Sequence, residues 1–127
     1  MGTRPVVVVV VDDEENVTRL MRRCLEPAGF EIHEAREGKS GIETALEVKP
    51  DVIIVDVRMP VVQGYDVCRY IKRHADTRDA KVIVMSGLMT DSDREWARHC
   101  GADDTILKPF NRDEVVSKIA GLVAKGT

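Results

Sequence analysis

The sequence predicts an α/β fold, a doubly wound sheet of five parallel strands with helices on both faces. Two observations carry that prediction. Short β-branched runs alternate with segments of helical period along the chain. The runs VVVVVV, VIIV and VIVM are continuous rather than alternating, as strands covered on both faces are.

The first strand is the valine run, residues 6–11, with no proline inside it. Val17, Leu20, Met21, Cys24 and Leu25 then recur at helical spacing, and this helix stops before Pro27 and Gly29. FEIHEA, residues 30–35, alternates apolar and polar residues, so the second strand belongs near a sheet edge. Ile42, Ala45 and Leu46 line a second helix that ends before Pro50. DVIIV, residues 51–55, is the third strand and is fully buried. Pro60 and Gly64 shape the turn into a third helix, whose inner face is Gly64, Val67, Cys68 and Ile71. RHADTRDA, residues 73–80, is a polar surface connection, and KVIVMS is the fourth strand. A fourth helix covers residues 91–100 and ends at Gly101, a natural C′ residue. DTILK, residues 104–108, is the fifth strand. Val115, Val116, Ile119 and Val123 mark a closing helix with Asn111 as its N-cap.

Right-handed crossovers leave few topologies. The flavodoxin-like order 2-1-3-4-5 suits the pattern. It puts the amphipathic second strand at an edge and the greasy first, third and fourth strands inside.

The 127 residues fit one domain, 1–127, and 43% hydrophobic residues can fill its core. Aromatics are few, so Val, Ile, Leu and Ala do the packing. The net charge of -3 argues against direct contact with nucleic acid, whose partners are basic. No apolar run approaches the ~20 residues of a membrane span. The valine run lacks a small-residue cleavage site, and Val6 stands where a myristoylation signal has Ser or Thr. A cytoplasmic chain with no membrane partner is expected. Cys24, Cys68 and Cys100 match no metal or redox spacing and read as small buried hydrophobes. His33, His74 and His99 lie far apart and read as surface or structural residues. Trp96 and Cys100, one turn apart, read as a packing face rather than a partner-binding face.

In a parallel sheet the C-terminal strand ends share one rim, and ligands bind where the strand order reverses. The first strand delivers Asp12 and Asp13 to that rim, the third Asp56, the fourth Ser86 and the fifth Lys108. Singly, each has an ordinary explanation. Asp12 and Asp13 could start a helix. Asp56 could be a plain acid at a strand end, Ser86 a turn residue and Lys108 a solvated lysine. Together, in order, they are poorly explained as coincidence. Three converging carboxylates repel one another unless a divalent cation joins them, and oxygen ligands of this kind suit Mg²⁺. A lysine and a hydroxyl at the same rim suit a phosphoryl group. An aspartate can then be the nucleophile, giving an aspartyl phosphate.

VVDDEENVTRLMRR, PDVIIVDVRMPVVQGYDVCRYIK, KVIVMSG and GADDTILKPF together resemble the receiver domain of two-component response regulators, over nearly the whole chain. The resemblance implies that Asp56 accepts a phosphoryl group from a histidine kinase or histidine phosphotransfer protein. It implies that Asp13, Asp56 and the Arg58 backbone carbonyl bind Mg²⁺ directly, with Asp12 acting mainly through water. Ser86 and Lys108 would hold the phosphate, and the Lys108–Pro109 bond would be cis. The chain would be a phosphoacceptor that hydrolyses its own acyl phosphate rather than a turnover enzyme. Its output would be altered binding to a downstream protein.

Two places depart from or vary within that pattern. Thr105 stands where the family usually has a rotating Tyr or Phe, so that aromatic switch is absent. Arg58 and Leu88 occupy the two variable places flanking the phosphate, which in the family tune hydrolysis. The Arg58 side chain could pair with the phosphate or with a neighbouring acid. Thr105 supports a rival reading, an interaction module that keeps the fold without phosphorylation. A phosphatase of the haloacid-dehalogenase type is a third reading. It expects Asp-x-Asp after the first strand, where this chain has Asp12-Asp13-Glu14.

Overall fold

The computed structural model describes residues 4–59 and 63–125. The proposed role of Pro60 in the turn lies outside the described residues. The elements run β1 (Val7–Val11), α1 (Glu15–Leu25), β2 (Glu31–Ala35), α2 (Gly38–Val48), β3 (Val52–Asp56), α3 (Gly64–Arg73), β4 (Lys81–Ser86), α4 (Asp91–Cys100), β5 (Asp104–Leu107) and α5 (Arg112–Lys125). A single 3-10 turn, Glu26–Ala28, follows α1 and carries Pro27. The sheet order is β2-β1-β3-β4-β5 and every pairing is parallel, as the strand patterns predict.

Alternation within the strands divides the core into two halves. Val9, Val11, Ile53, Val55, Val82 and Val84 face α2, α3 and α4, where they meet Ala45, Val67, Cys68, Ile71 and Cys100. Val8, Val10, Ile54, Ile83 and Met85 face the other way, against Met21 and Leu25 of α1 and Val115 and Ile119 of α5. Burying each aliphatic side chain of this size contributes about 1.5–3 kcal/mol before entropy is set against it. Both strand faces are therefore apolar, which is why β1, β3 and β4 read as continuous hydrophobic runs.

The helix ends follow local chemistry. Asn111 Oδ1 accepts from the N–H of Asp113 at 2.8 Å and of Glu114 at 3.2 Å, so it caps α5. Gly101 closes α4 at φ 88°, and its N–H donates to the carbonyls of Ala97 and Arg98. That left-handed conformation favours glycine.

Two inner faces differ from the sequence expectation. In α1 the buried stripe is Thr18, Met21 and Leu25, and Leu20 is 49% exposed. Thr18 can be buried because its hydroxyl donates to the Glu15 carbonyl at 3.0 Å. In α4 the buried stripe is Asp93, Ala97 and Cys100, while Trp96 is 51% exposed. The shared packing face expected of Trp96 and Cys100 therefore holds for Cys100 alone. Trp96 lies at the edge of the stripe, its ring 6.1 Å from that of Tyr65.

Cys68 and Cys100 are buried in the core, Cys24 is partly buried, and all three are free thiols. His33 lies 2.8 Å from Glu31, and His74 stacks on Tyr70 at 5.3 Å. His99 is 3.7 Å from Glu95. None of the three histidines reaches the strand-end rim.

Candidate functional site at the carboxyl ends of the strands

The sheet ladder sets the site. The N–H of Asp12 donates to the Ala35 carbonyl at 3.0 Å, continuing the β1–β2 pairing one residue past the strand. Asp12 Oδ1 accepts from the N–H of Glu14 at 2.9 Å, a local turn that leads into α1. Asp12 is fully buried, whereas its neighbour Asp13 is exposed. Asp56 is the last residue of β3, paired with Met85, and is buried. Ser86 ends β4, and Lys108 follows the last residue of β5.

α3 begins hard against this rim. The Gly64 N–H donates to the Val57 carbonyl at 3.2 Å. A Cβ on Gly64 would press into the Asp56 carbonyl group and lie 2.7 Å from Val57 Cα. Glycine is needed there for close approach of backbone to backbone.

One carboxylate oxygen from each of Asp12, Asp13 and Asp56 falls within 4.8 Å of the others. Lys108 Nζ lies 2.8 Å from Asp12 Oδ2, 3.5 Å from Asp56 Oδ2 and 3.7 Å from Glu14 Oε1. The cleft of about 470 Å³ above them is lined by Asp13, Glu14, Asp56, Arg58, Ser86, Gly87, Leu88 and Lys108.

The charges are unbalanced. Burial pushes the Asp12 carboxyl above its ordinary pKa, against the pull of Lys108. Burial and then the charge of Asp12 push Asp56 up as well. Burial works against the Lys108 ammonium, but Asp12, Asp56 and Glu14 outweigh it and hold its pKa above the ordinary value. Asp12 Oδ2 is buried and accepts no aligned hydrogen bond from the described residues, although the Lys108 ammonium is nearby. Three acidic residues around one lysine, with an under-satisfied buried oxygen among them, form a donor set that fits a hard divalent cation.

Ser86 and Arg58 are engaged elsewhere. Ser86 Oγ donates to the Leu88 carbonyl at 2.7 Å and accepts from the Leu88 N–H at 3.2 Å. The Arg58 N–H donates toward Asp56 Oδ1 at 3.4 Å, while its Nη2 donates to Asp93 Oδ2 at 3.0 Å. The side chain thus pairs with an acid on α4. Sequence reasoning missed Asp93 and Tyr65, whose hydroxyl donates to Asp93 Oδ1 at 3.1 Å. The signal that could have marked Asp93 was its place three residues after Thr90, in a capping box. The Lys108–Pro109 peptide is cis. Thr105 is partly buried in β5, and its carbonyl accepts from Lys118 Nζ at 2.6 Å. Among the described residues, no helix is long and apolar enough to cross a membrane.

Relatives share this plan. PrrA of Mycobacterium leprae, a transcriptional regulatory protein, is 35% identical over 93% of this chain and 50% of its own length. ResD of Bacillus subtilis, also a transcriptional regulatory protein, is 34% identical over 98% of this chain and 51% of its own. The chain thus spans about half the length of the curated relatives it matches. A putative response regulator from Chloroflexus aurantiacus superposes with a TM-score of 0.89 at 27% identity, covering 94% of this chain and 98% of that one. Residues 8–120 match the family model described as response regulator receiver domain. With the sheet order and the strand-end acids in accord with that match, the chain belongs to the response regulator receiver family of two-component signalling.

Proposed function

We propose that Asp56 is the phosphoacceptor of this receiver. The observation that carries the reading is the convergence of the Asp12, Asp13 and Asp56 oxygens within 4.8 Å, beside a lysine 3.5 Å from Asp56. An oxygen of Asp56 attacks the phosphorus of a phosphohistidine on a histidine kinase or phosphotransfer protein. The P–N bond breaks, and its electron pair returns to the imidazole. Asp13, Asp56 and the Arg58 carbonyl would hold Mg²⁺, with Asp12 acting through water. The ion would offset charge on the transferring group's oxygens. Lys108 would supply a fixed cation on the other side, and the Ser86 hydroxyl a hydrogen bond once it leaves the Leu88 carbonyl. Hydrolysis of the acyl phosphate by water would reset the switch.

The chain acts here as a single cytoplasmic receiver unit. The curated relatives it matches are about twice as long, and PrrA and ResD among them are named transcriptional regulatory proteins. An output domain elsewhere in the protein, or a separate downstream protein, would read its state.

The test is incubation with acetyl phosphate and Mg²⁺, read by intact mass. The unsubstituted chain should gain one phosphoryl group, and Asp56→Asn should gain none. The same adduct on Asp56→Asn would sink the assignment. Thr105 favours a second reading, an interaction module that works unphosphorylated. Failure of the unsubstituted chain to bind Mg²⁺ or take up phosphate would select it.

A further inference from the structure

Arg58 joins two places that are far apart in the sequence. Its backbone touches Asp56, the residue lines the cleft, and its guanidinium holds Asp93. Asp93 organises the start of α4. Its Oδ2 also accepts from the N–H of Thr90 at 3.0 Å and the hydroxyl of Thr90 at 2.9 Å. Its own N–H donates back to Thr90 Oγ1 at 3.1 Å. Its Oδ1 accepts from the hydroxyl of Tyr65, whose ring faces Trp96 at 6.1 Å and 31°. Contacts therefore run from the cleft through Arg58, Asp93 and Tyr65 to the exposed Trp96.

This link is built to be exchanged. A guanidinium forks as readily onto a phosphoryl group as onto a carboxylate, and the phosphoryl group has more charge and more acceptor oxygens. The Arg58 side chain is more than half exposed, so solvent rather than packed protein surrounds much of it, whereas Asp93 is nearly buried. Asp93 keeps its hydrogen bonds to Thr90 and Tyr65 when the guanidinium leaves, so no buried polar group is stranded. Thr105 supplies no aromatic ring that could do the same work.

We propose that Arg58 is a positioning residue that exchanges Asp93 for a phosphoryl oxygen on Asp56, and that release of Asp93 reports the state of the cleft to α4 and Trp96. The proposal rests on the phosphoacceptor reading of Asp56. It gives the signal a route through α3 and α4.

Trp96 is the chain's single tryptophan and serves as the probe. Beryllofluoride with Mg²⁺, a stable stand-in for an aspartyl phosphoryl group, is added while Trp96 emission is recorded and binding is followed by fluorine NMR. The unsubstituted chain should bind and change its emission. Without ligand, Arg58→Ala and Asp93→Asn should already be shifted toward the liganded emission, because the ion pair is gone. Arg58→Ala should then lose most of the ligand-induced change.

Resting emission unaltered in both variants overturns the proposal, whatever their ligand binding. So does a full emission change in Arg58→Ala on binding. Binding to the unsubstituted chain with no emission change leaves the phosphoacceptor reading standing and removes only this route. No binding to the unsubstituted chain removes both.

Discussion

Lys108 Nζ lies 2.8 Å from Oδ2 of Asp12, a buried carboxylate oxygen with no aligned hydrogen bond among the described residues. One ammonium thus serves a fully buried acid while also standing 3.5 Å from Asp56. Removing one member of a buried ion pair leaves the other uncompensated. Lys108→Met is expected to lower stability by about 1–3 kcal/mol, measured by urea denaturation without metal. It should also slow phosphoryl uptake from acetyl phosphate. Unchanged stability would mean that Asp12 is satisfied some other way.

Asp56 has the opposite sign. Burial and the neighbouring Asp12 disfavour its charge, and a raised carboxyl pKa means the ionised form weakens the fold at neutral pH. Asp56→Asn should therefore stabilise the metal-free chain, on the order of 1 kcal/mol. Mg²⁺ should stabilise the unsubstituted chain, by about 1.4 kcal/mol at ten times its dissociation constant. The Asn variant should gain less. Equal Mg²⁺ stabilisation of both would place the ion elsewhere.

Gly64 is tested by adding one methyl group. Backbone atoms of Asp56 and Val57 occupy the space a Cβ needs, and they cannot rotate away. Gly64→Ala should destabilise by about 1–3 kcal/mol and reduce phosphoryl uptake by displacing Asp56. Gly121, inside α5, is the control, since a Cβ there meets nothing within 4 Å. Gly121→Ala should be neutral or stabilising by up to about 1 kcal/mol. Similar effects at both positions would refute the contact argument.

Asp93 makes a pH prediction. The Thr90 N–H holds its carboxyl below the ordinary value, against burial, with help from the Thr90 hydroxyl, Tyr65 and Arg58. A depressed pKa gives stability that is present above the ordinary aspartate value of about 3.9 and is lost as pH falls through the lower folded value. Denaturant midpoints followed into acid should fall less steeply in Asp93→Asn than in the unsubstituted chain. Parallel curves would show that Asp93 contributes nothing to the acid limb.

Much of the molecule is legible from local pattern. Continuous Val and Ile runs specify β1, β3 and β4, because a strand covered on both faces has no polar side to alternate. Asn111 and Gly101 mark helix ends through their own backbone chemistry. The reading failed where a helix face depends on what approaches it. Leu20 and Trp96 sit at helical spacing with truly buried residues, yet both are exposed. Spacing cannot distinguish the middle of a stripe from its edge.

By itself the sequence determined the strand order and the set of residues at the rim. Parallel strands align their carboxyl ends, so Asp12, Asp56, Ser86 and Lys108 had to meet once the strands were known. Only the tertiary structure decided how those residues divide the work. It buried Asp12, whose N–H still continues the ladder to Ala35, and exposed Asp13, its neighbour of identical chemistry. It also gave the Arg58 side chain its partner, 35 residues away on α4. That pairing depends on where α4 sits relative to the residues that follow β3, which no local spacing records.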